Sequence, residues 1–363
     1  MAPPMNPATS NALQWSAVNR ADEIESRWAV LRQPPAAAHE NAAENVHQCR
    51  ALTLNLVVRV ADAADAARMA GYLWRLGPRH PARVFLVSPH ADGLHLQVAA
   101  QEQGSEMLHV ALPPERAAAF LTPLLQSDLP ALLLWRGGRP QVHAEFEPLA
   151  ALADRVLVDA QFLGLGAADV AALAQRLRGW THLADLSWTR LTPWRQLLYQ
   201  GLETTPGAAQ RVTAVTIAAP AGPANMAALL LAGWLARQLQ WTPAQRLSAA
   251  SLQLLRPAAS PPAAPAVTLA FQTTPPGRSA ALLGVQVEGE GFRVAICHHG
   301  PHLEMSVHHG EQEIGHWAGA ALTDQRREAD CLAVELSISG GDPLYRAALA
   351  SACAIARQLE GQP

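Results

Sequence analysis

The sequence predicts an α/β protein of two domains: an N-terminal mixed sheet with helices, then a C-terminal α/β domain ending in an antiparallel meander. Three observations carry that expectation. From Leu52 to about residue 180, apolar runs of strand length alternate with helix-spaced segments, the pattern of a sheet covered on its faces. A second set of strands and helices follows, and much of the last hundred residues alternates polar with apolar positions. At 363 residues the chain is also long for a single core. The expected division is a loose N-terminal tail with a short helix over 1–48, an N-terminal α/β domain over 49–180 and a C-terminal α/β domain over 181–360.

Residues 1–21 are rich in Pro, Ala and Asn and read as loose. DEIESRWAVLRQ (22–33) spaces Ile24, Trp28 and Leu31 along one helical face, and PPAAAHENAAEN then reads as a linker. LTLNLVVRV is a β-rich run, followed by a helix from Asp62, its N-cap, to Leu76. RVFLVSP (83–89) and LHLQVAA (94–100) are strands, and the alternation of the second suits an antiparallel edge. PPERAAAFLTPLLQ is helical. LPALLLW (129–135) and DRVLVDA (154–160) are apolar strands, and AADVAALAQRLRGW (167–180) has helical spacing.

In the second domain, VTAVTIA (212–218) is a strand, PANMAALLLAGWLARQLQW (223–241) a long apolar helix, and SLQLLR (251–256) another strand. The Pro/Ala run at 257–266 is a loop. A turn at Gly300 and Pro301 puts Phe292, Val294 and Ile296 on one face with Leu303, Met305 and Val307. The other face receives Arg293, Ala295, Cys297 and His299 with His302, Glu304, Ser306 and His308. A one-residue slip would mix the two sets, so this register is favoured. LAVELSI (332–338) alternates in the same way and reads as a strand. DPLYRAALASACAIARQLE (342–360) closes the chain as a helix with Asp342 as N-cap and Pro343 at its first position.

Composition narrows the function. Half the residues are hydrophobic and 16% are charged, which suits packed cores and not disorder. A net charge of −3 makes no electrostatic case for a nucleic-acid partner. Lysine is absent. Cys49, Cys297, Cys331 and Cys353 lie far apart without a Cys-x-x-Cys pair, which argues against a disulfide scaffold or zinc knuckle. The first residues show no secretory pattern. The longest apolar segment, AALLLAGWLA at 227–236, falls well short of the roughly 20 residues that span a bilayer. The expectation is a soluble cytoplasmic protein with neither nucleic acid nor membrane as a partner.

Three places offer residues for chemistry. The hairpin register brings Cys297, His299, His302 and Glu304 to one end of a polar face; these are zinc-ligand types, set against a plain solvated face. SGGDPL (339–344) leads into a helix whose amides could bind an anion, although Asp342 would repel a phosphate. WRGGRP (135–140) follows a strand end, where Arg136 and Arg139 could hold an acidic group, or simply flank a Gly-Gly turn in solvent. There is no full G-x-G-x-x-G, no nucleophile elbow and no histidine spaced to serve a nucleophile. No catalytic residue, metal or cofactor is assigned.

The densest signal is DLSWTRLTPWRQLL (185–198), two tryptophans and two arginines in a chain that is 5% aromatic. Thr192 and Pro193 read as N-cap and first residue of a helix, with Trp194 and Arg195 in its first turn. An arginine there opposes the helix dipole and calls for a carboxylate, from Asp159, from Asp185 or from a partner. Trp and Arg also dominate binding hot spots. Either Trp188 and Trp194 wedge a domain joint while Arg190 or Arg195 pairs internally, or the stretch meets a partner directly.

LTLNLVV, LPALLLWRGGRP, DRVLVDAQF, DLSWTRLTPWRQLL and AALLLAGWLARQLQW occur in one order. In this the chain resembles the bacterial glucose-6-phosphate dehydrogenase assembly protein OpcA family, from about Leu52 to Trp241. The run W-T-R-L-T-P-W-R is the most specific element. The resemblance implies two α/β domains, no catalysis, and glucose-6-phosphate dehydrogenase as partner. The family acts in the oxidative pentose phosphate pathway by promoting that enzyme's active oligomer or raising its activity allosterically. Matching positions, implied to be partner-binding or domain-joint residues, are Asn55, Trp135, Arg136, Gly137, Asp159, Asp185, Trp188, Arg190, Thr192, Pro193, Trp194 and Arg195. The competing reading is a sugar-phosphate-binding enzyme or sensor of the same pathway, using SGGDPL or the arginines after Trp135. The tail through Asn45 and the His-rich hairpin lie outside the match.

Overall fold

The computed structural model describes residues 13–31, 52–90, 93–101, 105–177, 182–257, 266–275, 282–299, 302–318, 328–338 and 340–361. The expected linker, Cys49 and the turn at Gly300 and Pro301 lie outside them. The structure is mixed α/β and divides into two compact units between Val156 and Leu157. Among the described residues no helix is long and apolar enough to cross a membrane.

The first unit comprises β1 (Ser16–Val18), α1 (Ile24–Leu31), β2 (Leu54–Arg59), α2 (Ala63–Leu76), β3 (Ala82–Pro89), β4 (His95–Ala100), β5 (Glu106–Leu112), α3 (Ala117–Leu121), β6 (Ala131–Trp135) and α4 (Phe146–Ala150). The chain passes into the second unit within β7 (Arg155–Val158). The sheet runs β1-β4-β5-β3-β2-β6. β2 is parallel to β3 and β6, and β3 to β5, while β4 is antiparallel to β5 and β1. β2 and β6 are buried along their whole length, which is why they read as unbroken apolar runs. Asp62 caps α2 as expected, accepting from the Asp65 amide at 2.8 Å.

Two expectations change here. LHLQVAA is antiparallel but is not the edge, because Ser16–Val18 pairs outside it. The segment read as loose, 1–21, is partly packed, with Val18 buried in β1; the expected short helix buries Ile24 and Trp28, and Trp28 Nε1 donates to the Met107 carbonyl at 3.2 Å. The sequence reading also passed over β5, whose first residue, Glu106, is a buried charge paired with Arg83.

The second unit continues with α5 (Ala167–Arg176), β8 (His182–Asp185), α6 (Leu186–Arg190), α7 (Thr192–Glu203), α8 (Ala208–Arg211), β9 (Val212–Pro220), α9 (Met226–Gln238), β10 (Thr242–Ser248), β11 (Ser251–Leu255) and β12 (Val267–Thr274). β13 (Gly284–Gly289), β14 (Phe292–His299), β15 (His302–His309), β16 (Gln312–Ala318), α10 (Glu328–Leu336) and α11 (Pro343–Glu360) complete it. Its large sheet runs β10-β11-β12-β9-β13-β14-β15-β16. β9 and β12 are parallel and the meander from β13 to β16 is antiparallel. β14 and β15 hold the expected register, with Cys297 opposite Glu304 and His299 opposite His302. α7 covers the apolar face of this pair. A Cβ at Gly201 would lie 2.6 Å from Val294 Cγ1 and 2.9 Å from Met305 Sδ, so a glycine is what lets the helix seat there.

LAVELSI is helical, not a strand: it falls in α10, which buries Ala329, Cys331, Leu332 and Glu335. Val334, which a strand would bury with Leu332, is 41% exposed. α5 packs against α11, and Cys353 Sγ reaches the Ala167 carbonyl at 3.2 Å. By its contacts α5 groups with the second compact unit, which begins at Leu157.

α9 and α11 meet closely at Gly233, where a Cβ would stand 2.3 Å from the Ala348 carbonyl oxygen and 2.7 Å from the Ala352 nitrogen. Both are main-chain atoms that cannot rotate away. Gly233→Ala is expected to lower the stability of the second unit by about 1–3 kcal/mol in denaturant melts. Gly71→Ala on α2, whose Cβ meets only Arg75 Nη1 at 3.7 Å, should be neutral or stabilising by up to ~1 kcal/mol.

Candidate functional site

The stretch 185–198 folds as two helices in succession. Asp185 caps α6: its Oδ1 accepts from the Ser187 amide at 2.8 Å and the Ala160 amide at 3.1 Å. Leu191 ends α6 in right-handed helical geometry, and α7 begins at Thr192. Thr192 is thus helical and does not cap α7, a correction to the sequence reading. Because α6 runs directly into α7, the Arg195 amide has its own acceptor, the Leu191 carbonyl at 3.0 Å.

The side chains of this stretch bind the second unit together. Arg190 grips Asp159, just past β7, with both arms of its fork, Nη1 standing 2.8 Å from Oδ1. The Ser187 hydroxyl donates to Asp159 Oδ1 at 3.3 Å and accepts from the Gln161 amide at 3.1 Å. Thr189 donates to Glu335 of α10. Trp188 Nε1 donates to Asp342 Oδ2 at 2.7 Å, while Asp342 Oδ1 caps α11 through the amides of Leu344 and Tyr345. The Trp188 and Tyr345 ring centroids are 5.8 Å apart. Trp188 and Trp194 are 4% and 3% exposed, and Trp194 packs beside the His298 ring at 5.5 Å. Pro193 is buried.

The electrostatics are lopsided. Asp159, Asp185 and Glu335 are buried, and Arg190 beside them is half-buried. Burial works against the Arg190 charge, but Asp159 outweighs it and holds the guanidinium above its ordinary range. Burial pushes the Asp185 carboxyl up to about 7, the charge of Asp159 adding to it and the amides of Ala160 and Ser187 opposing. Burial also raises the Tyr345 phenol, and Asp185 reinforces it. Asp185 therefore keeps a proton in the folded chain that an unfolded carboxyl, at 3.8, gives up. Stability should fall as pH rises from about 4 to 7 and level off above that. Asp185→Asn should flatten this dependence and be the more stable form at pH 8, as read from denaturant midpoints across pH.

Arg195 differs from the rest. Its Cζ lies 3.5 Å from the centroid of the Trp188 ring, and Nη2 donates to Thr192 Oγ1 at 3.0 Å. Among the described residues it pairs with no carboxylate, so neither Asp159 nor Asp185 is its counter-ion; Asp159 serves Arg190.

In the first unit, Trp135 and Arg136 close β6. Trp135 is fully buried, its Nε1 donating to the Gly138 carbonyl at 2.8 Å, with Phe146 edge-on at 5.0 Å and Arg59 over the ring at 5.5 Å. Arg136, 1% exposed, pairs with Asp65 at 2.9 Å, and Arg59 pairs with Glu145 at 2.7 Å. Burial alone would raise the Asp65 carboxyl, but Arg136, the Ala61 amide and Arg68 hold it below its ordinary value. A Cβ on Gly137 would crowd the Trp135 ring at 3.1 Å and Arg59 Nη1 at 3.2 Å. Arg136 is thus neither solvated nor presented to a ligand. Asn55, opposite Ala131 and so at the far end of the β2–β6 pairing from Trp135, ties down the chain before β6 through Gln126 and Leu129. It belongs to neither cluster. The sequence reading missed Arg59, Asp65, Glu145, Ser187, Glu335 and Tyr345; the spacing Asp62-x-x-Asp65 at a helix start was the one local hint.

The other candidates are committed elsewhere or dispersed. Asp342 occupies the α11 amides that an anion would need. At the hairpin, His299 Nδ1 is 3.8 Å from Glu304, and burial followed by the Glu304 charge raises the Cys297 thiol. Among the described residues no three His, Cys, Asp or Glu side chains converge as a metal site.

Two family domains match this sequence. One described as the glucose-6-phosphate dehydrogenase subunit N-terminal domain matches residues 75–177, and one described as the C-terminal domain of that subunit matches 181–349. The chain belongs to the OpcA family. A Nostoc punctiforme protein whose name places it in the OxPP cycle as OpcA is 30% identical over 184 residues, 46% of this chain and 39% of its own length. A Synechocystis relative of the same name is 30% identical over 131 residues, covering 36% of this chain and 27% of the relative. The chain thus matches well under half the length of either OpcA relative. Among solved structures, an NAD binding oxidoreductase from Klebsiella pneumoniae is similar at 11% identity and a TM-score of 0.48, covering 85% of this chain and 97% of its own. At that score the likeness carries no functional weight.

Proposed function

We propose that this chain is a non-catalytic assembly factor and allosteric activator of glucose-6-phosphate dehydrogenase, working in the cytoplasm in the oxidative pentose phosphate pathway. The observation that carries the reading is the match to both domains described as belonging to a subunit of that dehydrogenase, over 75–177 and 181–349. The character of the Trp/Arg stretch supports it. Asp185 caps a helix, Asp159 pairs with Arg190 and the tryptophans are buried, so these side chains have packing and pairing roles, which supports a binding protein. Activation follows if this body binds the dehydrogenase's active form more tightly than its inactive one, since a ligand shifts an equilibrium only by its differential affinity.

The sugar-phosphate alternative rests on SGGDPL and on the arginines after Trp135; Asp342 takes the α11 amides and Asp65 takes Arg136, while Arg139 is exposed. The deciding experiment titrates purified chain into the dehydrogenase of the same organism. Dehydrogenase activity should rise and saturate at a fixed molar ratio. An unchanged rate together with turnover of glucose 6-phosphate by the chain alone would reverse the choice.

A further inference from the structure

Several buried or half-buried arginines in this molecule hold carboxylates, and Arg211 and Arg256 donate to main-chain carbonyls. Arg59 stands 2.7 Å from Glu145, Arg83 lies 2.7 Å from Glu25 and 2.9 Å from Glu106, Arg136 lies 2.9 Å from Asp65, and Arg190 forks onto Asp159. Arg195 stands apart. Its Nε is buried without an acceptor, its one hydrogen bond goes to the Thr192 hydroxyl, and it has no ion pair among the described residues. Burial lowers its pKa to about 10, and the charge of Asp342, which makes no ion pair with it, offsets this only in part. Taking a cation out of water without a counter-charge is costly.

The local architecture nonetheless holds this cation in place. The guanidinium lies over the Trp188 ring, its Cζ 3.5 Å from the centroid, and Trp188 is itself fixed by its hydrogen bond to Asp342. Stacking lowers the entropy of a long side chain while leaving edge N–H groups for an acceptor, and the planar fork matches a carboxylate. The residue is half-buried, so one side is open to solvent.

We infer that Arg195, stacked on Trp188, is the docking point for an acidic side chain of the partner protein. The acidic residue supplies the ion pair that no described residue of the chain makes with Arg195, and the complex desolvates the pair. This rests on the dehydrogenase reading above and names the contact within it. A small anion such as a free phosphate shares the chemistry, and a titration with phosphate alone separates the two. A partner carboxylate arriving with a whole surface needs only the one fork.

The test measures binding of the full chain to the cognate dehydrogenase by calorimetry, with wild type, Arg195→Ala and Arg195→Lys, and titrates inorganic phosphate alone as a separate arm. Arg195→Ala should weaken the complex roughly tenfold or more while leaving the melting temperature nearly unchanged, and Arg195→Lys should recover part of the loss. If Arg195→Ala does not fold, the Lys variant carries the test, since it keeps the charge and loses the fork; several-fold weaker binding is then expected. Wild-type affinity in the variants would overturn the inference and leave the dehydrogenase reading intact. Absence of binding by the wild type would sink that reading, and the inference with it. Tight phosphate binding lost in Arg195→Ala would also overturn it, by making the site one for a small anion.

Discussion

Replacing Arg190 by Met is expected to destabilise the second unit by about 3–5 kcal/mol, the effect of stranding a buried carboxylate without its partner. Asp159 is 3% exposed and takes both arms of the Arg190 fork, and Asp185 lies close enough for the two carboxylates to repel. With the guanidinium gone, the folded chain must bury an unpaired charge or protonate it. The loss should therefore be larger at pH 8 than at pH 5. Adding Asp159→Asn to Arg190→Met should recover much of the loss, because an amide needs no counter-charge. Equal stability of the single and double variants in urea melts would show that the ion pair does not hold this cluster together.

Trp194→Ala should cost a similar amount, about 3–5 kcal/mol, because it empties a large volume behind α7. Trp194 is 3% exposed and sits beside His298, near the place where Gly201 lets α7 press on Val294 and Met305. The expected result is a lowered melting temperature, with dehydrogenase activation lost only in step with unfolding and regained on cooling. Wild-type stability with activation abolished would instead make Trp194 a contact residue. Arg195→Ala is the complementary variant, gentle on the fold and severe on binding.

The parts of the fold that were legible in the sequence are those where local pattern and tertiary burial agree. β2 and β6 are buried on both faces and read as apolar runs. β14 and β15 have one face on α7 and one toward solvent, so alternation fixed their register. Asp342 and Pro343 announced α11. Legibility failed where a distant partner changes what a residue can do. Glu335 is buried on α10 through Thr189, so LAVELSI looked like alternation with a polar position facing out. Glu106 opens β5 as a charge because Arg83 waits on the neighbouring strand.

The candidate site followed the same rule. The weight of DLSWTRLTPWRQLL was visible from composition, as was the need for a nearby carboxylate. Which arginine receives it was not, because Asp159 reaches Arg190 across 31 positions and Arg136 finds Asp65 across 71. A one-dimensional reading offered Arg136 a ligand or solvent, and Arg195 a carboxylate from Asp159, Asp185 or a partner; the packed structure gives Arg136 to Asp65 and Asp159 to Arg190, and leaves half-buried Arg195 without an ion pair among the described residues.

Sedimentation velocity on the chain mixed with its cognate glucose-6-phosphate dehydrogenase is the most direct check on the proposed role. A faster boundary containing both proteins, with specific dehydrogenase activity higher than in the unmixed enzyme, is the expected result. Two boundaries unchanged from the separate proteins, at micromolar concentrations and with unaltered activity, would contradict it.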